Sequence, residues 1–191
     1  MKIFKVEIKG ISNLIWNIRQ REMDEEKKEL KANELDEWEE KNWRRKAKSD
    51  AEGKVWIPME WLKMSMIGSS QQNRLVPHFA KSRKETYSRY LETCMIEILM
   101  PTCNAKDLEP YGAYVNVGTK QRPRKIWTIR PMMKNWACEF LFRDVFGRMK
   151  LSELKEIIEF SGFFIGIGDN RKNNFGRFEV VQVEETTNEK R

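Results

Sequence analysis

The stretch Phe163-Phe164-Ile165-Gly166-Ile167-Gly168-Asp169-Asn170-Arg171-Lys172-Asn173-Asn174-Phe175-Gly176-Arg177-Phe178-Glu179-Val180-Val181 decides how the chain is read. Two glycines flank one apolar residue, a polar and cationic loop follows, and a third glycine opens an alternating run. Glycine permits positive φ and close approach of backbones. Exposed amides beside Arg171, Lys172 and Arg177 would make a concave cationic surface suited to phosphate. Ile167, between Gly166 and Gly168, is expected to anchor the loop in the core. A dinucleotide fingerprint runs strand, glycines, helix. Here the order is reversed. Residues 151–161 have helical spacing through Leu151, Leu154, Ile157 and Ile158, with Gly162 at the end. Residues 177–183 read as the strand that follows.

Upstream of that helix, Trp136, Phe140 and Phe142 share one face of a predicted strand and are expected in the core. Before it, residues 113–117 and 126–130 form two alternating runs around a turn-rich tip holding Lys120, Arg122, Pro123, Arg124 and Lys125. That pattern predicts a protruding basic β-hairpin, ended by Pro131. Residues 95–100 read as a strand, and residues 104–111 as loop. At the other end of the chain, residues 2–10 alternate Phe4, Val6 and Ile8 with Lys5, Glu7 and Lys9, which predicts a strand. Residues 11–18 carry an apolar cluster packing onto the core. Residues 54–57 read as a short strand, Pro58 suits a first helical position, and residues 59–69 continue as helix. Residues 70–90 give mixed signals and receive no assignment.

Residues 19–50 are dominated by Glu and Lys at helical spacing and predict one or two exposed helices projecting from the body. A solvated insertion without a role is the plain alternative. Trp38 and Trp43 argue for contact with the body or with a neighbouring subunit. Residues 184–191 read as a polar, fraying tail.

Stripped of insertions, the order is strand, helix, strand, strand, helix, strand. It predicts an α+β, ferredoxin-like (RRM-like, split βαβ) fold in a single domain spanning 1–191. Its four-stranded sheet is a common platform for single-stranded nucleic acid. The 191 residues carry a formal net charge of +7, which favours a polyanionic partner. No apolar run reaches the length of a membrane span, and the start is no signal peptide. Cys94, Cys103 and Cys138 suggest neither a disulfide framework nor a zinc site, so a reducing cytoplasm is the default.

Two motifs in this order resemble the RAMP superfamily, the RNA-binding proteins of CRISPR systems, and most closely the subunits that form a backbone along the guide RNA. In that family an apolar-Ile-Pro-Gly-Ser-Ser-Leu-Lys-Gly stretch leads into the first helix. Val55-Trp56-Ile57-Pro58-Met59-Glu60-Trp61-Leu62-Lys63 stands in that place, keeping Ile57-Pro58 and Leu62-Lys63 and replacing the small residues with Met59, Glu60 and Trp61. The family's glycine-rich loop before the last strand is matched by Gly166-Ile167-Gly168 through Phe175-Gly176-Arg177. The combination is also similar to small phage-encoded proteins that open on Ile-Lys-Gly-Ile-Ser. The resemblance implies a fold, a binding mode and head-to-tail assembly of subunits along a strand more than it implies a reaction. It also admits a protein-interaction role, an anti-CRISPR capping such an assembly.

Binding chemistry is the better represented. Lys120, Arg122, Arg124, Lys125 and Arg130 would track phosphates while the neighbouring Tyr111, Tyr114 and Trp127 stack bases. The alternative puts Tyr114 and Trp127 in the core and leaves the tip a solvated loop. The glycine-rich loop adds Gly166, Gly168, Arg171, Lys172 and Arg177. Catalytic chemistry is sparse. The one histidine, His78, has the basic neighbours Arg74, Lys81, Arg83 and Lys84 that a ribonuclease would use, but reads as an ordinary loop residue. Asp169 reads as a loop-shaping acceptor rather than a metal ligand. The expectation is a non-enzymatic binder of single-stranded RNA or DNA, without cofactor or metal.

Overall fold

The computed structural model describes residues 1–31, 33–82, 86–119 and 122–186, with the backbone only for 116–119 and 122–124. In chain order, β1 (Lys2–Gly10) is followed by β2 (Leu14–Ile15), α1 (Arg21–Lys28), α2 (Leu35–Asn42) and a 3-10 turn (Trp43–Ala47). Then come β3 (Lys54–Val55), α3 (Met59–Gln72), α4 (Tyr87–Thr93), β4 (Met95–Ile98) and β5 (Cys103–Asn104). The hairpin is β6 (Glu109–Thr119) and β7 (Arg122–Met133), leading into β8 (Ala137–Asp144) and α5 (Leu151–Phe160). A π-helical turn (Ser161–Ile165) and the glycine-rich loop lead to β9 (Phe178–Thr186). The protein is mixed α+β with antiparallel sheets. The largest sheet has the order β4-β8-β1-β9, and a second, three-stranded sheet has the order β2-β7-β6.

Alternation builds the main sheet. Phe4, Val6 and Ile8 of β1 are fully buried, while Lys5, Glu7 and Lys9 point the other way. Cys138, Phe140 and Phe142 line the same inner face from β8, with Trp136 just before them. Leu62, Met66 and Ile67 of α3 and Leu154, Ile157 and Ile158 of α5 complete the core. Burying each such side chain contributes about 1.5–3 kcal/mol. Small residues let the helices close on each other: Ser65 and Ser69 are buried on α3 and donate to the carbonyls of Ser161 and Ile157. At the end of β8 the buried carboxylate of Asp144 accepts from the amides of Phe146, Gly147 and Met149 and from the Tyr90 hydroxyl. One side chain thus closes the turn into α5 and ties it to α4.

Several boundaries differ from the expectations, each for a physical reason. Pro131 does not end the hairpin. It lies opposite Pro110, and its carbonyl points to β2 and accepts from the Trp16 amide at 3.0 Å. In this pair the polar groups point away from each other, so the two missing N–H groups interrupt no rung between β6 and β7. The expected tail begins later, because Glu184, Glu185 and Thr186 pair with Lys5, Phe4 and Ile3. Residues 187–191 lie outside the described residues. The expected loop 104–111 contains the end of β5, a 3-10 turn and the start of β6. Residues 70–90 prove to hold the last turn of α3 and the first of α4.

The largest correction concerns residues 19–50. They form two short helices, as expected, and Trp43 meets the body, but they pack on β7 rather than project from it. Glu39 of α2 and Lys46 of the 3-10 turn are buried, only 3% and 4% exposed, and bonded to each other and to β7. Glu39 accepts from the Ile129 amide at 2.8 Å, from the Thr128 hydroxyl at 3.0 Å and from Lys27. Lys46 donates to the Ile129 carbonyl at 2.6 Å and to Thr128 at 2.8 Å. Trp43 is buried with them. Burial favours the neutral carboxyl of Glu39, but Lys27, Lys46 and the Ile129 amide outweigh it and hold the group below the usual carboxylate range. Burial pulls the Lys46 ammonium below its ordinary range against the attraction of Glu39, with Lys27 and Arg130 adding repulsion.

Candidate nucleic-acid interface

The glycine-rich loop sits at the end of the sheet where β1 finishes. Gly166, Gly168 and Gly176 all have positive φ, at 71°, 80° and 69°. A Cβ on Gly168 would stand 2.6 Å from the Ile15 carbonyl oxygen, and one on Gly176 would stand 1.8 Å from that of Ile167. Ile167 is fully buried, as its spacing predicts. The loop's amides, however, are turned inward. Gly166 donates to Ser161, Ile167 to Gly176, Asp169 to Ile15 and Gly176 to Asn13. The Arg177 amide donates to the Ser12 hydroxyl. These amides brace the loop on the β1–β2 turn, so a phosphate cradle of exposed amides is not what Gly166 offers. The loop's outer surface carries its side chains instead, with Arg171 and Lys172 exposed.

The hairpin base meets this loop. Tyr111 and Arg130 oppose each other across β6 and β7, which places them on one face. The Tyr111 ring packs on Phe175 with centroids 5.1 Å apart. Arg130 Nη1 lies 3.2 Å from Asp169 Oδ2, an ion pair without the alignment of a hydrogen bond. Asp169 also accepts from the Asn170 amide, the loop-shaping role expected of it. Arg130 is only 8% exposed, and its Nε is buried without a partner among the described residues, as is Arg177 Nη1. Burial and the Arg171 cation pull the Arg177 guanidinium below its ordinary range. Three arginines therefore converge on one end of the sheet with one carboxylate among them.

Farther along the hairpin, Tyr114 and Trp127 oppose each other on the other face, with ring centroids 5.1 Å apart. Tyr114 is 71% exposed and Lys125 is exposed; the Trp127 ring lies across Gly112 and is half-buried. Neither the wholly solvated tip nor the wholly buried ring pair describes them. The strands extend to Thr119 and from Arg122, beyond the expected ends at 117 and 126. Lys120 and the side chains of Arg122 and Arg124 lie outside the described residues. The twelve predicted binding residues therefore divide. Arg130, Arg171, Lys172 and Arg177 gather with Gly166 and Gly168 at the loop, and Tyr114, Trp127 and Lys125 lie on the arm. Tyr111 was expected beside the arm as a stacking ring; Phe175, which it packs on to join the two motifs, was not among the predicted residues. An aromatic ring within the polar run 169–177 was the available signal for Phe175.

The open face of the main sheet is a poor platform for a polyanion. Register places Lys5, Lys9 and Arg143 there, against Glu7, Glu97, Glu139, Glu179 and Glu184. Lys5 is paired with Glu139 and Arg143 with Glu97. Charge on this face is acidic overall and partly paired, and among the described residues no aromatic ring stands on it.

His78 Nδ1 lies 2.9 Å from both carboxylate oxygens of Glu153, whose Oε2 accepts from the Lys150 amide at the start of α5. The pair fastens the loop after α3 to that helix. Among the described residues no three His, Cys, Asp or Glu side chains gather to hold a metal, and no helix is long and apolar enough to cross a membrane.

No family model matches the chain, and no curated protein matches it. Among solved structures, the fold is similar to a chain in the cryo-EM structure of the Type III-B Cmr-β bound to cognate target RNA, with 12% identity and a TM-score of 0.50. The match covers 97% of this chain and 61% of that one, so this chain spans under two thirds of the length of its structural neighbour.

Proposed function

We propose that this chain is a RAMP-like, non-enzymatic protein that binds single-stranded nucleic acid, RNA foremost, along the hairpin and across the glycine-rich loop. The main sheet, read as a split βαβ arrangement, serves as scaffold and not as platform. The observation that carries this reading is the junction of the two motifs. Arg130, Arg171, Lys172 and Arg177 converge where Tyr111 packs on Phe175, while the sheet's open face is acidic. Cations beside half-buried aromatic rings suit a single strand, and backbone contacts give weak sequence preference. The similarity to a chain of an RNA-bound Cmr assembly supports RNA over DNA; subunits lining up along the strand is what the sequence resemblance implies.

The test is a titration of a short single-stranded RNA at several salt concentrations. Arg171→Ala with Lys172→Ala should weaken binding and flatten the logarithmic salt slope by about 0.7 for each phosphate that the variant no longer neutralises. Both side chains are exposed, so thermal melting should hold. Unchanged affinity and slope would remove the loop from the binding surface.

A further inference from the structure

Between the insertion and the hairpin arm lies a cleft of about 400 Å³, lined by Lys27, Leu35, Asp36 and Glu39 on one side and by Tyr114, Lys125 and Trp127 on the other. Its size is at the lower end of the range of about 300–1,000 Å³ typical of ligand clefts, which suits one small ring system rather than a strand. Its lining holds two ammonium groups and two carboxylates, so the cleft is charge-balanced within a chain of net charge +7. Lys27 is already bonded to Glu39 and stands 4.3 Å over the Trp38 ring. A phosphate gains nothing from such a lining. A flat, uncharged ring carrying donors and acceptors gains a stacking surface from Tyr114 and Trp127 and polar edges from Asp36 and Lys125.

The wall opposite the rings is not free to drift. Glu39, which lines the cleft, is the residue that accepts from the Ile129 amide and the Thr128 hydroxyl of β7. The strand that presents Trp127 therefore also fixes the helix facing it. We infer that the cleft takes one unstacked nucleobase of the bound strand and that the charged insertion is its second wall. The phosphates on either side stay outside it. This inference rests on the nucleic-acid reading above and gives residues 19–50 a role in it.

The experiment compares two probes, a fluorescein-labelled oligoadenylate RNA and the matching abasic ribose-phosphate strand. Tyr114→Ala removes the exposed ring, Leu35→Trp fills the cleft, and Tyr114→Phe keeps the ring. Wild type should prefer the base-bearing strand. Tyr114→Ala and Leu35→Trp should each weaken its binding by roughly five- to a hundredfold, the range of one stacked base, and bind the abasic strand as wild type does. Tyr114→Phe should stay within about twofold of wild type, since the ring is what stacks. If wild type binds oligoadenylate and both cleft variants bind it equally well, the cleft inference fails and the wider reading stands. If wild type binds neither probe, the nucleic-acid reading fails and takes the cleft with it.

Discussion

The glycine-rich loop and the charged insertion are both polar stretches that leave the main sheet and return to pack on it, and they are held by opposite means. The loop is ordered from within and by its nearest neighbours. Its glycines adopt conformations other residues resist, one isoleucine anchors it, and its amides bond within the loop or to the β1–β2 turn. The insertion has few apolar residues and no comparable backbone device. It is fixed by one buried carboxylate that gathers two ammonium groups, a hydroxyl and a backbone amide, two of those partners being some ninety residues away in sequence. Local backbone preference orders the first, and electrostatic satisfaction at a distance orders the second. They should therefore fail differently.

The strongest way to break this contrast is Glu39→Ala. It leaves Lys46 buried without its counter-ion and the Ile129 amide without its acceptor. Loss of one partner of a buried pair costs about 3–5 kcal/mol, so urea denaturation should show a fall of that order. The acid branch should also flatten. The Glu39 carboxyl is held below its ordinary range in the folded state, so its contribution is present above the unfolded value and is lost as pH falls through the folded one. A mild effect with unchanged acid sensitivity would mean that the insertion is held by something else.

Gly168→Val attacks the loop. The new side chain meets the Ile15 carbonyl and is forced to positive φ, a combination expected to cost about 2–3 kcal/mol. Because no titrating group is removed, its stability should fall in parallel with wild type at every pH, and this sharpens the difference from Glu39→Ala. An altered acid branch in Gly168→Val would join the two regions into one cooperative unit. The smallest effect belongs to Glu153→Gln, at about 1 kcal/mol, since the cap on α5 and the tie to His78 weaken together. Burial raises the Glu153 carboxyl, but the nearby Tyr87 hydroxyl and the hydrogen bonds from Lys150 and His78 bring it below the ordinary range. The difference from wild type should thus shrink as pH drops through the carboxylate range, as read from melting curves.

The same contrast explains what was legible in the sequence. The alternation of β1, the inward face of β8, the spacing of α5 and the three glycines are local patterns, and each element formed where its pattern lay. The docking of residues 19–50 was only partly legible: Trp43 signalled contact with the body, but Glu39 and Lys46 look like every other charge in that run until β7 is folded beside them. Pro131 misled for a similar reason. Proline ends a strand only if its missing donor is needed, and that depends on its partner, Pro110. The acidic open face was hidden in the same way: the alternating residues of β1 and β8 are visible singly, and their sum needs the strand order. For the interface, residue type found the cations and rings of the arm, while the Tyr111–Phe175 contact depended on which loop meets which strand.

The unequal placing of charge has a consequence for how a partner arrives. With glutamates spread over one face of the main sheet and arginines gathered at its end, the molecule carries a lopsided field as well as a net charge. A polyanion approaching from solvent is repelled by one side and drawn to the other, so encounters are turned before any contact forms. Selection against the wrong orientation then takes place during diffusion, and raising the salt concentration acts first on how fast complexes form rather than on how long they last.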